Sequence, residues 1–268
     1  MSEYYSCSRP DENVYKKYMA KLLEVKNIYA SYGAEQILKD VSIDIEKNEI
    51  LGLVGESGSG KSTAARVITG LITPSAGKVL LDGEELHRKR DKSVCRRMQM
   101  VFQNPESSLN PKYRIGDILA DAMSFHFANM SRDEIREKSE DLVKRMELPQ
   151  DTLSRYPRSL SGGQKQRIAL MRALCVEPEL LIADEPTSAL DVSVQLRMLK
   201  LIKEIQRDRS LGILFISHDL GVINYLCDKV AVMKEGQIVE SGSREEFFRC
   251  PKTAYGKELL DSVPGGTE

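Results

Sequence analysis

The chain has no tryptophan, only three histidines, and five cysteines scattered as Cys7, Cys95, Cys175, Cys227 and Cys250. An odd number of cysteines without a C-x-x-C pair excludes a disulfide framework and a structural metal site as first readings. It fits thiols kept reduced in the cytoplasm. No apolar run reaches the roughly eighteen residues that a membrane-spanning helix needs. Residues 1–19 are polar and tyrosine-rich, without the apolar centre of a secretory signal. Any dealing with a membrane is therefore expected to pass through a partner protein. An excess of one charge is also lacking. Lys and Arg total 39 against 40 Asp and Glu, for a net charge of −1, which removes the electrostatic case for a nucleic-acid binder.

What is present is the composition of a soluble globular protein, 41% apolar and 29% charged over 268 residues. That length suffices for one large domain or two small ones. The most informative stretch is 55–62. Gly55, Ser57, Gly58 and Gly60 lead into Lys61 and Ser62 in the order G-x-x-x-x-G-K-[ST], a phosphate-binding loop. It follows an apolar strand-like run, 49–54, and precedes a helix-compatible run, 62–69, which is the context the motif requires. Glycines let the backbone curl so that successive N–H groups surround a phosphate, and the helix dipole points at the same place. Lys61 is expected to reach the β- and γ-phosphates of a nucleoside triphosphate, and Ser62 to hold Mg²⁺.

The rest of the chain supplies the surroundings. Residues 1–20 look like a tail. A strand pattern begins near Leu22, and Val41, Ile43 and Ile45 then alternate with polar neighbours, as in an antiparallel sheet with one wet face. The mostly basic run 87–92 has no interleaved aromatics and is expected to be a solvated loop. From Ile115 to about Leu148 the pattern is helical, with Ser131 and Glu134 spaced as a capping box. No strand is expected between 103 and 159, which suggests an inserted helical subdomain. Further apolar runs, 98–102, 179–185 and 212–216, alternate with helices, as in a mainly parallel sheet covered on both faces. Run 179–185 ends in Asp184 and Glu185. Adjacent carboxylates at the end of a buried strand repel each other and lose solvation, so they belong near a cation. Asp184 is expected to hold Mg²⁺, and Glu185 to polarise an attacking water. His218, just beyond run 212–216, is expected on the ligand-binding side of the sheet beside the γ-phosphate.

Together with Leu160-Ser161-Gly162-Gly163-Gln164 and Asp191, these motifs resemble the ATP-binding subunit of ABC transporters over roughly residues 21–242. The pentapeptide is the diagnostic piece. The resemblance implies an α/β fold: a P-loop NTPase core with an antiparallel β subdomain and an α-helical subdomain inserted at 103–159. A short carboxyl-terminal extension, 243–268, would follow. It implies that Tyr32 stacks on adenine, that Thr63 helps hold the α-phosphate, and that Gln103 touches Mg²⁺. Ser161, Gly162, Gly163 and Gln164 would act on ATP held by an opposite ATPase subunit, and Asp191 would lie in the loop between the two sites. Cofactors would be ATP and Mg²⁺.

The stretch 103–111 resembles the corresponding loop of the oligopeptide, dipeptide and nickel importer group. That group implies a heterodimer of ATPase subunits, two integral-membrane permease subunits and an extracytoplasmic solute-binding protein. The chain would sit peripherally on the cytoplasmic face of the membrane. Peptide, nickel and metal chelate remain open as cargo, and a soluble ATPase uncoupled from transport is the alternative class. Members typically carry His-Pro before the tyrosine at 255 and Thr after it; this chain has Thr253-Ala254 and Gly256. With Cys250 alone in that region, the iron–sulfur cluster of some members is not expected.

Overall fold

A computed structural model describes residues 21–188 and 190–262. The expected tail, 1–20, lies outside the described residues. The alternating run becomes β2 (Glu35–Glu46), which pairs antiparallel with β1 (Lys21–Tyr32) across a turn at Gly33. β3 (Ile50–Val54) leaves for a second sheet. β4 (Ala76–Leu81) then pairs with the free side of β1, and β5 (Glu84–Glu85) with β4, giving the order β2-β1-β4-β5. The second sheet adds β6 (Met98–Val101), β7 (Leu180–Asp184), β8 (Gly212–Ile216), β9 (Lys229–Lys234) and β10 (Gln237–Ser243) in the order β10-β9-β3-β8-β7-β6. Every pairing in it is parallel except β10 on β9.

Helices complete the layers: α1 (Lys61–Ile68), α2 (Lys92–Arg97), α3 (Ile115–His126), α4 (Arg132–Arg145), α5 (Gly162–Leu174), α6 (Val192–Arg209), α7 (Leu220–Leu226), α8 (Arg244–Arg249) and α9 (Ala254–Asp261). The capping box is formed: Ser131 Oγ accepts from Glu134 N–H at 3.3 Å, and the Glu134 carboxylate accepts from Ser131 N–H at 2.7 Å. α4 ends with Glu147 at a φ of 51°, and Leu148 N–H donates to Val143 O at 3.1 Å. That is a left-handed cap of the kind glycine usually makes.

Strands buried on both faces read as unbroken apolar runs because alternate residues enter different cores. Leu51, Leu53, Leu180, Ile182, Leu214 and Ile216 point into the layer shared with α1 and the antiparallel sheet. Ile50, Val54, Leu181, Ala183, Ile213 and Phe215 point to the opposite side, where α3 to α6 pack. β6, at the sheet edge, is less buried than its apolar sequence suggests: only Met98 and Val101 are fully covered.

The basic run is the solvated loop expected of it at His87, Arg88 and Lys89, which are exposed, and departs from it beyond them. Arg90 turns inward and donates from Nη2 to the Ile68 carbonyl at 3.0 Å, so that a cation meets the negative end of the α1 dipole. Asp91 caps α2, accepting from Val94 N–H at 2.8 Å, and Lys92 is already helical. A single arginine reaching a helix end that lacks carbonyl partners overrides the local polarity.

Burial also sets the thiol chemistry. It pushes the Cys175 thiol up to about 11 and Cys227 higher still, whereas Cys250 is exposed. The thiolate is the reactive form. A disulfide reagent at about pH 8 should therefore label Cys250 and spare Cys175 and Cys227 until denaturant is added. Peptide mapping of the labelled protein checks this, and early labelling of Cys227 would contradict the packing.

Candidate active site

The loop 55–60 leaves β3 and enters α1 through two glycines that no other residue replaces easily. Gly55 has a φ of 149°, and a Cβ there would lie 2.1 Å from the Met233 carbonyl oxygen. Gly60, the N-cap of α1, has a φ of 110° and offers no side-chain cap. The first N–H groups of α1 are thus left for an external anion. Lys61 is only 6% exposed and its ammonium is folded inside the loop, donating to Gly55 O at 2.8 Å and Glu56 O at 2.7 Å. Burial lowers its pKa, while Glu185, Asp184 and Glu56 oppose that shift.

Facing the loop are the ends of β7 and β8. Ser62 Oγ donates to Asp184 Oδ1 at 3.0 Å. Burial raises the Asp184 carboxyl; the Ser62 hydrogen bond lowers it, and the Glu185 charge adds to the rise. Glu185 takes a left-handed conformation, φ 46°, uncommon for a residue with a side chain. Its N–H donates to Ile216 O at 3.0 Å. Its carboxylate lies between two partners, with Gln103 Nε2 donating to Oε2 at 2.9 Å and His218 Nδ1 at 3.3 Å from Oε1. The His218 side chain is 60% exposed. A carboxylate oriented from both ends at the mouth of an anion-binding loop can accept a proton from a water placed there.

Residues expected at the site fall into distinct places. Ser57 and Gly58 form the exposed tip of the loop, and Thr63 is half-buried in the first turn of α1. Tyr32 ends β1 opposite Glu35 and is 48% exposed, free to present its ring. Ser161 caps α5: its Oγ accepts from Gln164 N–H at 3.3 Å while Gln164 Oε1 accepts from Ser161 N–H at 3.0 Å. The pentapeptide is therefore also a capping box, and the Gln164 side chain is occupied in holding it. Gly162 shares the wall of a pocket of about 170 Å³ with Gln103 and Glu185. Asp191 caps α6, accepting from Val194 N–H at 3.0 Å, and that bond holds its carboxyl below the ordinary range. One neighbour was not anticipated: the Tyr255 hydroxyl accepts from Glu56 N–H at 3.1 Å. Their separation of 199 positions leaves no local signal in the sequence.

The ABC transporter family model matches residues 38–188. The chain belongs to the ABC transporter family. It is 42% identical to the oligopeptide transport ATP-binding protein OppF of Bacillus subtilis over 252 residues, covering 91% of this chain and 83% of that one. It is 40% identical to the oligopeptide transport ATP-binding protein AmiF of Streptococcus pneumoniae, covering 91% and 82%. Among solved structures, cbiO1 from Clostridium perfringens, part of the ABC transporter complex cbiONQ, superposes with a TM-score of 0.77 at 29% identity, covering 91% of this chain and 94% of that one. A dimeric ATP-binding cassette in a post-hydrolysis state with ADP and phosphate gives 0.75 at 28% identity, covering 83% and 98%. The protein is accordingly an ATP-binding, ATP-hydrolysing ABC subunit.

For this ABC subunit, replacing Lys61 removes a buried cation that a phosphate would otherwise meet. A charge-assisted hydrogen bond contributes about 1.5–3 kcal/mol, so Lys61→Ala should weaken ATP binding at least about tenfold. Titration with a fluorescent ATP analogue measures it.

Proposed function

We propose that this chain is an ATPase subunit of a peptide importer, working on the cytoplasmic face of the membrane. It would pair with a second, different ATPase subunit beneath two permease subunits, supplied by an extracytoplasmic solute-binding protein. The oligopeptide-transport names of its relatives favour peptide over nickel or a metal chelate as cargo. Among the described residues no helix is long and apolar enough to cross a membrane, so membrane contact is assigned to the permeases.

The observation that carries the catalytic reading is the Glu185 carboxylate held between Gln103 and His218 beside Asp184. Glu185 is the base that polarises the attacking water. His218 steadies that carboxylate and lies on the γ-phosphate side. Lys61 and the α1 N–H groups receive the phosphates, Thr63 the α-phosphate, and Tyr32 the adenine face, while Ser57 and Gly58 close the loop rim. Oxygen donors from Ser62, Asp184 and Gln103 suit a hard cation, and the part-buried Ser62–Asp184 pair fits Mg²⁺. Mg²⁺ bound there would neutralise charge on the phosphate oxygens.

Ser161, Gly162, Gly163 and Gln164 are assigned to the opposite subunit's ATP. The cap takes up the Gln164 and Ser161 N–H groups and leaves those of Gly162 and Gly163 as a second set of backbone donors for an anion, with Gln164 fixing their shape. Asp191 holds the loop between the two sites by capping α6. Closing two such chains head to tail would bury the nucleotides and strengthen the electrostatics around them.

Two measurements test this reading. Glu185→Gln should bind ATP within about threefold of wild type, lose turnover at least about a hundredfold, and accumulate as an ATP-bound dimer on size exclusion. Turnover near wild type would sink the assignment of the base. Ser161→Arg should leave ATP binding by the isolated chain intact while abolishing turnover of the assembled transporter. Unchanged transporter turnover would remove the pentapeptide from the shared site.

A further inference from the structure

The carboxyl-terminal segment is bound to the nucleotide loop by contacts that the catalytic reading does not use. The segment begins where β10 gives way to α8 and α9. Glu240, a buried carboxylate on β10, fixes the turn before α9. Oε1 accepts from Lys252 N–H at 2.7 Å, and Oε2 accepts from Thr253 N–H at 3.0 Å and from the Thr253 hydroxyl at 2.7 Å. Burial alone would raise this carboxyl, but the hydrogen bonds from Lys252 and Thr253 hold it below the ordinary value. α9 passes so close to Glu240 that a Cβ on Gly256 would come within 2.6 Å of Oε2. The turn is therefore rigid, and it aims the next side chain.

That side chain is Tyr255. It is 6% exposed, its ring lies 4.3 Å from the Lys234 ammonium, and its hydroxyl oxygen accepts the Glu56 N–H. The Gly55–Glu56 segment is thus gripped on two sides. Lys61 holds its carbonyls from within, and Tyr255 holds its N–H from the α9 side. The two grips respond differently to nucleotide. An ammonium shared with a phosphate gives up part of its hold on the carbonyls, whereas the tyrosine bond involves no group assigned to the ligand. Further along α9, Leu259 and Ser262 line a cavity of about 330 Å³ whose other walls include Gly55, His218 and Asp219.

We propose that Tyr255 is a positioning residue for ATP binding: it holds the first turn of the phosphate loop through the Glu56 amide, which makes the carboxyl-terminal segment a working part of the nucleotide site. The inference rests on the loop being the ATP site. Tyr255→Phe removes one oxygen and keeps the buried ring and its contact with Lys234. In the full chain it should raise the KM for ATP, and the Kd of a fluorescent ATP analogue, roughly three- to tenfold. The kcat should stay within about twofold and the melting temperature should be almost unchanged. Exchange of the Glu56 amide hydrogen should be faster in the variant, a change that loosened packing elsewhere would not confine to this residue. Equal analogue affinity in wild type and variant would overturn the inference while leaving the ATP site in place. Failure of the wild-type chain to bind the analogue would overturn both. A parallel fall in melting temperature, kcat and affinity would reduce Tyr255 to a packing residue. Glu240→Gln, which loosens the same turn from the far side, should reproduce the shift in KM in weaker form; no shift would detach the turn from the loop.

Discussion

In the larger sheet Leu53 lies opposite Ile216, and Ile216 opposite Asp184, so that three parallel strands end at one level. The ladder runs one step further: Ser217 N–H donates to Leu53 O at 3.3 Å, and Glu185 N–H to Ile216 O at 3.0 Å. Those two bonds bring together three segments distant in sequence. The loop after β3 carries Lys61 and Ser62, the end of β7 carries Asp184 and Glu185, and the end of β8 leads to His218. Parallel pairing aims all three the same way, and ligands bind at the carboxyl ends of such strands. A register slip would reverse the faces of β8 and dismantle both cores along with the site.

The price of that convergence is electrostatic. Lys61 and Asp184 are both buried, and desolvation works against the charged form of each. Each is supported by the other's charge and by hydrogen bonds, Lys61 from two carbonyls and Asp184 from Ser62. Glu185 adds a second negative charge and a left-handed backbone. Such groups are tolerated because the surrounding strands over-determine their positions. They hold a configuration in which an incoming polyphosphate and cation would replace the missing solvation.

Much of this could be read from residue order. The G-x-x-x-x-G-K-S run, the acids ending an apolar strand, and the Ser-x-x-Glu and Ser-x-x-Gln spacings are local patterns with local physical causes, and those elements form where the patterns stand. The antiparallel sheet was legible in β2 because only one of its faces is buried. What escaped depended on distance or on substitution of one residue for another. Glu147 makes a left-handed cap without glycine. Arg90 leaves a basic run to close α1, which only tertiary proximity reveals. Tyr255 reaches Glu56 through a turn set by Glu240, and neither residue's neighbours announce it. Gln164 stands in the family's signature, yet its side chain is spent on the α5 cap, a use the motif spells out once it is read as Ser-x-x-Gln.

The two faces of the central sheet feed separate cores, with alternate residues of β3, β7, β8 and β9 assigned to one or the other. One core carries α1 and the phosphate loop; the other carries the inserted helices α3 and α4. The backbone of the sheet divides these two sets of side chains, and Tyr255, from the second core, reaches round to the loop at Glu56. A substitution among the side chains of α3 and α4 is therefore absorbed on their own side of the sheet, away from the side chains packed beneath α1. The inserted helices can thus change in sequence while the packing that supports the grip on the nucleotide stays as it is.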